Sequence, residues 1–411
     1  MKKSIFIISV LLTMVSTVFA QNALTVSGSP VQIPSGGAGN LVINFQFDQA
    51  DLYAAYSFDV ALPDGISVVD TKTYTLGDCH VDHGMTINYK ADEKVYSFAS
   101  LSQNSEVLKG TSGMLISVPI KDDASLASGT VLKAKIQNIV FATKRAAYVP
   151  VENDVEFEIK ITDRWILDET SPAPPVASDG EVNVTVKRKV NANEWGTICL
   201  PFDMSVDQIT EVFGEKAQFA IFDSYTKDGG NASTKQAFTA TNIVINFVNH
   251  DWKSEEGIFA NVPYLIKSAN SVESFDLNDV IIAPDEEGAT GEYKRSGKVC
   301  GTYFGTLHAG QYIPEYGLFL NSGKFYYSKG KTIIKAFRGY FVLNDVLADL
   351  SSASVKVNVD GEATSIDGMH IQYATEGVYD LSGRKIQLEN GDLNKLQKGV
   401  YIIDGKKVTI K

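Results

Sequence analysis

Cysteine is scarce: Cys79, Cys199 and Cys300 are the only three in 411 residues, too few to staple a fold as a disulfide framework does. Histidine is almost as rare, at five, so a histidine-based relay has little material and no favourable spacing. The chain contains no His-Glu-x-x-His, no Gly-x-Ser-x-Gly elbow and no Gly-x-x-x-x-Gly-Lys-Ser/Thr loop, which removes the best-marked zinc peptidases, serine hydrolases and P-loop enzymes. An Asp-x-Asp-x-Asp-Gly calcium loop is also missing. No catalytic residue and no cofactor is therefore assigned. No apolar run reaches the roughly 20 residues a membrane helix needs, so no transmembrane span is expected. Basic side chains fall short of acidic ones, 37 against 49. A chain of net charge −12 does not suit nucleic acid as a partner, because phosphate binding needs clustered Lys and Arg.

What is present begins with an export signal. Lys2 and Lys3 precede an apolar core from Ile5 to Val15, and Val18-Phe19-Ala20 fits a small-x-small cleavage site. Residues 1–20 are read as a signal peptide cut between Ala20 and Gln21, and no cysteine follows the core to take a lipid anchor. Lys2 and Lys3 contribute +2 and residues 371–411 another +2, which leaves −16 on residues 21–370. Such a body is soluble and acidic, and its location is expected to be extracellular or attached to an outer surface.

Residues 24–162 read as strands separated by turn signals. Leu41, Ile43, Phe45 and Phe47 alternate with Val42, Asn44, Gln46 and Asp48, and Tyr56, Phe58, Val60 and Leu62 repeat the period before Pro63-Asp64-Gly65. Further runs at Val95–Phe98, Met114–Ile120, Val131–Phe141 and Val155–Ile161 complete a β-sandwich pattern. Residues 163–180 carry Pro172, Pro174 and Pro175 and read as an extended linker. Residues 181–358 form a mostly-β second domain with one short helix. The helix starts at Ser205-Val-Asp-Gln208, a capping box, presents Val206, Ile209 and Phe213, and stops at Gly214. Residues 359–371 are a second linker. In 372–411, the runs Val400–Ile403 and Lys407–Ile410 flank Asp404-Gly405, a hairpin pair. The whole chain is assigned to the all-β class.

Three resemblances follow from these words. The Phe-Asp-Val-x-Leu-Pro-Asp-Gly-Ile strand and turn, Tyr-Ser-Phe-Ala-Ser, Met114-Leu-Ile-Ser-Val-Pro-Ile and Lys-Ala-Lys-Ile-Gln-Asn-Ile-Val-Phe resemble, in order, the cohesin and carbohydrate-binding-module superfamily. That implies a cohesin- or immunoglobulin-like sandwich and non-covalent recognition of protein or glycan. Trp195-Gly-Thr-Ile-Cys-Leu-Pro-Phe202, Pro-Tyr-Leu-Ile-Lys and Lys-Ala-Phe-Arg-Gly-Tyr-Phe resemble a module recurring in Bacteroidetes surface proteins, which brings no reaction with it. Val-Tyr-Asp-Leu-Ser-Gly-Arg and Lys-Gly-Val-Tyr-Ile-Ile-Asp-Gly-Lys-Lys resemble the C-terminal sorting domain of the type nine secretion pathway of Bacteroidetes. This implies that Gly377, Tyr379, Gly383, Arg384, Gly399, Tyr401, Asp404, Gly405 and Lys406 belong to a small β module, of sandwich or hairpin form, read by secretion machinery.

Candidate chemistry is thin. Cys199 and Cys300 share a domain and an oxidising route, so a disulfide and a pair of buried free thiols both stay open. His80, Asp82 and His83, beside Cys79, have the donor types for zinc or another transition metal; a polar surface loop turning at Gly84 explains the same residues. Asp203 with Asp207, and Asp276 with Asp279, are carboxylate pairs of the kind glycoside hydrolysis uses, although Asp203 and Asp207 also bracket a helix start. Tyr53, Tyr89, Tyr303, Tyr312, Tyr326 and Tyr327 are rings with an apolar face and a polar tip, suited to stacking on sugars when they point outward. The reading that fits best is a non-catalytic recognition protein binding glycan or an extracellular protein, in adhesion or as a scaffold. The alternatives are a polysaccharide-acting enzyme, with its acids near Asp276–Asp285, and a structural component of a surface assembly.

Overall fold

The computed structural model describes residues 24–228, 239–240, 242–321, 323–343, 347–348, 354–364, 366, 369–371, 378–380, 385–386, 398–403 and 406–410. Among them the helix Val206–Phe213 is the only α element, and the fold is otherwise built of β-strands. The chain divides into two compact units. One takes the described residues of Met1–Val31, Leu41–Val118 and Val131–Ile159, the other those of Gln32–Asn40, Pro119–Thr130 and Lys160–Lys411.

The first unit is a sandwich. One sheet orders the strands Leu24–Val26, Ala38–Gln46, Ser112–Asp122 and Ile66–Val68; the other runs Val131–Thr143, Tyr53–Ala61, Val95–Ser102 and His83–Lys90, with Tyr148–Pro150 beside the first of these. Alternation decides which side chains go inside. Leu41, Ile43 and Phe45 are buried from one sheet, and Tyr56, Phe58, Val60 and Phe98 from the other. Val42 is buried as well, so at that position the period of two does not separate core from solvent.

The second unit packs two larger sheets against each other. The first orders Trp195–Ile198, Tyr264–Lys267, Gln218–Asp228, Asn242–His250, Ser354–Val359 and Glu362–Ala363. The second orders Thr290–Arg295, Lys298–Thr306, Arg338–Leu343, Tyr312–Asn321, Lys324–Ile333 and Met369–Ile371. Their inner faces share one apolar cluster, with Phe222, Phe247, Tyr303, Phe325 and Phe341 among its largest members. A neighbouring cluster buries Ile209, Val212 and Phe213 of the helix with Val184, Val186 and Phe275 of a smaller sheet. The helix begins as its sequence dictates: the Ser205 hydroxyl accepts from the Gln208 amide N–H, the Gln208 side chain accepts from the Ser205 N–H, and Gly214 ends it at φ 87°. Val206 packs at the margin of this face, and Val212 takes the buried place.

Both segments read as linkers are built into the second unit. Trp165–Asp168 is a strand paired in parallel with Val182–Lys187, and Leu167 and Ala173 are buried. Prolines 172, 174 and 175 follow that strand without forming an independent spacer. Likewise Ile366 is buried in the shared cluster, and Met369–Ile371 pairs with the strand Lys324–Ile333.

The last sheet orders Lys385–Ile386, Val378–Asp380, Gly399–Ile403 and Lys406–Ile410. Ile403 pairs with Lys406, the register a two-residue connection imposes. Tyr379, Gly399, Tyr401 and Lys406 lie in these strands. Ala20, Gln21, Gly377, Gly383, Arg384, Asp404 and Gly405 lie outside the described residues.

Candidate binding surfaces

In the first unit the outer face of the Tyr53–Ala61 sheet is less polar than a solvent-facing sheet should be. Cross-strand register aligns Gly84, Leu101, Ala55, Ala142 and Tyr148 in one row. The next row places Thr86, Ala99, Ser57, Val140 and Pro150 side by side. Leu101 is 56% exposed and Tyr148 78%. The third row is polar and centred on Asp59, which is nearly buried although it points outward. A bulge between Gln137 and Val140 puts Asn138 at φ 54°, and its amide donates to the Asp59 carboxylate at 2.9 Å. Lys90 Nζ approaches both Asp59 oxygens at 3.2 and 3.3 Å. Burial alone would raise the Asp59 pKa, but hydrogen bonds from Asn138, Ser97 and Lys90, with the lysine charge, hold it below the usual range.

The second unit carries a different surface. Register across four adjacent strands sets Phe304 opposite Tyr340, Tyr340 opposite Phe319, and Phe319 opposite Tyr326. Phe304 stacks on Tyr340 with ring centroids 5.2 Å apart and planes 19° off parallel; Phe319 stacks on Tyr326 at 5.5 Å and 22°. Phe304, Tyr340 and Tyr326 are half-buried, and Phe319 is buried beneath them. Neighbours in sequence go the other way: Tyr303, Tyr327 and Phe341 fill the inner core. Beside Phe319 opens a hollow of about 470 Å³. Ile313, Phe319 and Ile334 line it together with Lys331, Lys335 and Arg338. Glu169 holds two of these cations, its carboxylate meeting Lys335 at 2.7 Å and Arg338 at 2.6 Å. Burial pushes Glu169 upward, yet the Lys335 hydrogen bond and the Arg338 charge outweigh it and leave the carboxyl below its ordinary range.

The residues singled out from sequence are placed as follows. His80 and His83 stand edge to face with ring centroids 5.2 Å apart, but His80 Nε2 meets the Tyr56 hydroxyl at 2.9 Å and its Nδ1 meets the Gly77 carbonyl at 2.9 Å. The Asp82 carboxylate accepts from the Ser102 hydroxyl and from the Asn104 amide. Among the described residues no three His, Cys, Asp or Glu side chains are grouped to hold a metal ion. Cys199 and Cys300 are not bridged; all three cysteines are free thiols. The reason is placement along the strand Lys298–Thr306. Cys199 packs against Gly305, and Cys300 lies five positions away, about 16 Å of strand and well beyond disulfide reach.

The carboxylate pairs are likewise dispersed. Asp203 accepts from the Ala260 N–H at 2.6 Å, and Asp207 sits in the first turn of the helix. Asp276 accepts from the Thr185 hydroxyl at 2.6 Å, and Asp279 occupies a strand bend at φ 56°. A broad open hollow runs past Glu211, Glu273 and Asp276, but Glu273 is tied to Lys189 at 2.6 Å. Of the six tyrosines, Tyr53, Tyr303 and Tyr327 are buried, Tyr326 is half-buried, and Tyr89 and Tyr312 are 53% and 51% exposed. Among the described residues no helix is long and apolar enough to cross a membrane; this says nothing of β-barrels.

No family model matches the chain, and no curated protein matches it. Solved structures that it is similar to are cohesin modules. A non-cellulosomal cohesin from Archaeoglobus fulgidus is 16% identical, with a TM-score of 0.26 over 33% of this chain and 90% of that one. The cohesin module of a family 33 glycoside hydrolase from Clostridium perfringens is 10% identical, with a TM-score of 0.28 over 35% and 98%. The third ScaC cohesin of Acetivibrio cellulolyticus, solved with the ScaB dockerin, is 14% identical, with a TM-score of 0.26 over 32% and 94%. Likeness at this level bears on neither ligand nor activity.

Proposed function

We propose that this chain is an exported, non-catalytic recognition protein whose sandwich unit docks an extracellular protein partner. The observation that carries this reading is the outward row Leu101–Ala55–Ala142–Tyr148. A flat, small-residue centre with exposed Leu and Tyr at its margins offers apolar contact area. The Asp59–Lys90–Asn138 cluster beside it supplies a fixed polar rim that sets orientation. Export rests on the signal peptide ending at Ala20 and on engagement of secretion machinery by residues 372–411, as in the sorting domains this tail resembles.

Substituting Leu101→Arg tests the docking claim, since an exposed side chain is replaced without touching the core. The wild-type chain is expected to retain a defined extracellular protein that the L101R and Tyr148→Ser variants lose, at unchanged melting temperature. Equal retention by all three would remove the sandwich face from consideration. Fractionation of cells expressing the chain with and without residues 372–411 tests export; equal delivery to the exterior would sink the sorting role.

A second reading, glycan binding by the other unit, is favoured by the aromatic row Phe304–Tyr340–Phe319–Tyr326, whose flat stacked rings suit sugar faces.

A further inference from the structure

We propose that Arg188 holds a small monovalent anion of the halide class inside the second unit. This site is independent of both surfaces described above. Arg188 directly follows the strand Val182–Lys187 and is 2% exposed. Its Nη2 donates to the Thr197 carbonyl. Its Nε and Nη1 are buried as well, and among the described residues no protein atom accepts from either. A guanidinium has five N–H donors, no acceptor, and keeps its charge in proteins. Burial and the neighbouring Arg338 charge pull Arg188 down to about 9, which still leaves a cation at neutral pH. The carboxylate that acts on it is Glu169, and that group is already engaged. One oxygen meets Lys335 at 2.7 Å and the other meets Arg338 at 2.6 Å. Three cations thus stand around one carboxylate, and Arg188 is the one that it does not pair with.

The chemistry of the site decides its occupant. An ionised group deep in a protein costs several kcal/mol unless it is paired, and water would accept the N–H bonds without offsetting the charge. A halide does both. The other groups that act on Arg188 are Cys199 and Tyr303, and neither competes as an anion. Burial pushes the Cys199 thiol up to about 12 and raises the Tyr303 phenol well above its ordinary 10. Both side chains are fully buried, so the occupant must be small. Sulfate or phosphate would also bring a second negative charge close to Glu169. Thr197 shows what the anion would stabilise. Its carbonyl takes Arg188 from the end of the small sheet, and its strand Trp195–Ile198 belongs to the first large sheet. Its hydroxyl accepts from the Gly339 N–H, in the second large sheet, at 3.0 Å. An anion on Arg188 therefore sits where three sheets meet.

Thermal melting of the full chain, followed by tryptophan fluorescence at constant ionic strength while chloride replaces gluconate, tests this. The second unit, which contains all three tryptophans, is expected to melt about 3–5 °C higher for each tenfold rise in chloride above the dissociation constant. Arg188→Met removes the charge and the free donors together and should make the melting temperature independent of chloride. Lys335→Met, which alters a half-exposed cation of the same cluster, should keep the wild-type dependence. Equal melting of the wild type in chloride and gluconate would overturn the proposal, as would a full chloride effect in R188M. Crystals of the wild type grown in bromide give a second reading that needs no variant. An anomalous peak beside Arg188 is expected; ordered water at Nε and Nη1, or bromide at surface lysines only, would overturn the site.

Discussion

Glu169 clasps Arg338 at 2.6 Å across 169 residues of sequence, and its other carboxylate oxygen takes Lys335 at 2.7 Å. The Glu169 side chain is 12% exposed and that of Arg338 30%, so this pair is sheltered far more than most surface ion pairs. Backbone bonds reinforce it: Glu169 N–H donates to Lys187 O at 3.1 Å, and Ala336 N–H donates to Glu169 O at 2.9 Å. Replacing Glu169 by Gln leaves Arg338 without its counter-charge and should cost about 1–3 kcal/mol. Lys335 is 53% exposed, so Lys335→Met should cost under about 1 kcal/mol. Urea denaturation followed by tryptophan fluorescence reports on this unit, which contains Trp165, Trp195 and Trp252. An E169Q midpoint equal to wild type would show the clasp to be dispensable for stability.

The first unit should lose stability in two acid steps. Burial pulls His80 below its ordinary value of 6.5 despite the bond to the Gly77 carbonyl, and burial likewise lowers His83. The unfolded chain therefore binds these protons first, and the stability associated with neutral His80 is present above pH 6.5 and declines below it. Asp59, held below its ordinary 3.8, adds a second decline beginning near that value as protons displace Lys90 and Asn138. Calorimetric melting temperatures from about pH 8 to pH 3 would trace both steps. His80→Gln should shrink the upper one to the His83 share and leave the lower one in place; a profile flat from pH 8 to 5 in the wild type would contradict the assignment.

The helix is the element the amino-acid order states most completely, because Ser205, Gln208 and Gly214 act within a few residues of one another. The sandwich strands were nearly as plain, since Leu41, Ile43 and Phe45 keep one period over one buried face. The strand Tyr312–Asn321 gave no such signal: register shifts at Glu315 and Leu318 break its alternation. Trp165–Asp168 was hidden by its shortness and by the prolines behind it. The aromatic row was invisible for a deeper reason. Tyr326 and Tyr327 are equivalent as letters, and strand alternation sends one outward and buries the other. Which outward ring then meets Phe319 or Tyr340 is fixed by pairing between distant strands, a relation that no local spacing encodes. The partner of Arg338, Glu169, lies 169 positions away, inside the segment that reads as a linker.

Thiol reactivity should separate the three cysteines. Burial pushes both Cys79 and Cys199 up to about 12, so neither supplies appreciable thiolate near neutral pH, and both sulfurs are shielded. Cys300 is part-exposed. Native protein treated with iodoacetamide at about pH 8 should be alkylated at Cys300 alone, and denatured protein at all three, as read by peptide mass spectrometry. Rapid native labelling of Cys199 would show that its packing against Gly305 opens readily.

That packing belongs to a pair of glycines. Gly305 and Gly339 face each other across adjacent strands, and both inner faces are occupied by something larger. A methyl group on Gly305 would overlap the Cys199 sulfur, and one on Gly339 would meet the Tyr303 ring, with the phenol oxygen at 2.8 Å. Tyr303 has nowhere to retreat. It lies flat on Phe341 with ring centroids 4.2 Å apart and planes 6° off parallel, and its hydroxyl donates to the Tyr264 carbonyl at 3.0 Å. Gly339→Ala should therefore destabilise the second unit by about 1–3 kcal/mol through overpacking. The clash disappears if the ring does, so adding Tyr303→Leu should cost less in the G339A background than in the wild type, with a coupling of about 1 kcal/mol or more. Urea denaturation of the four proteins of this cycle measures that coupling, and strict additivity would mean that Gly339 is set by something other than the ring above it.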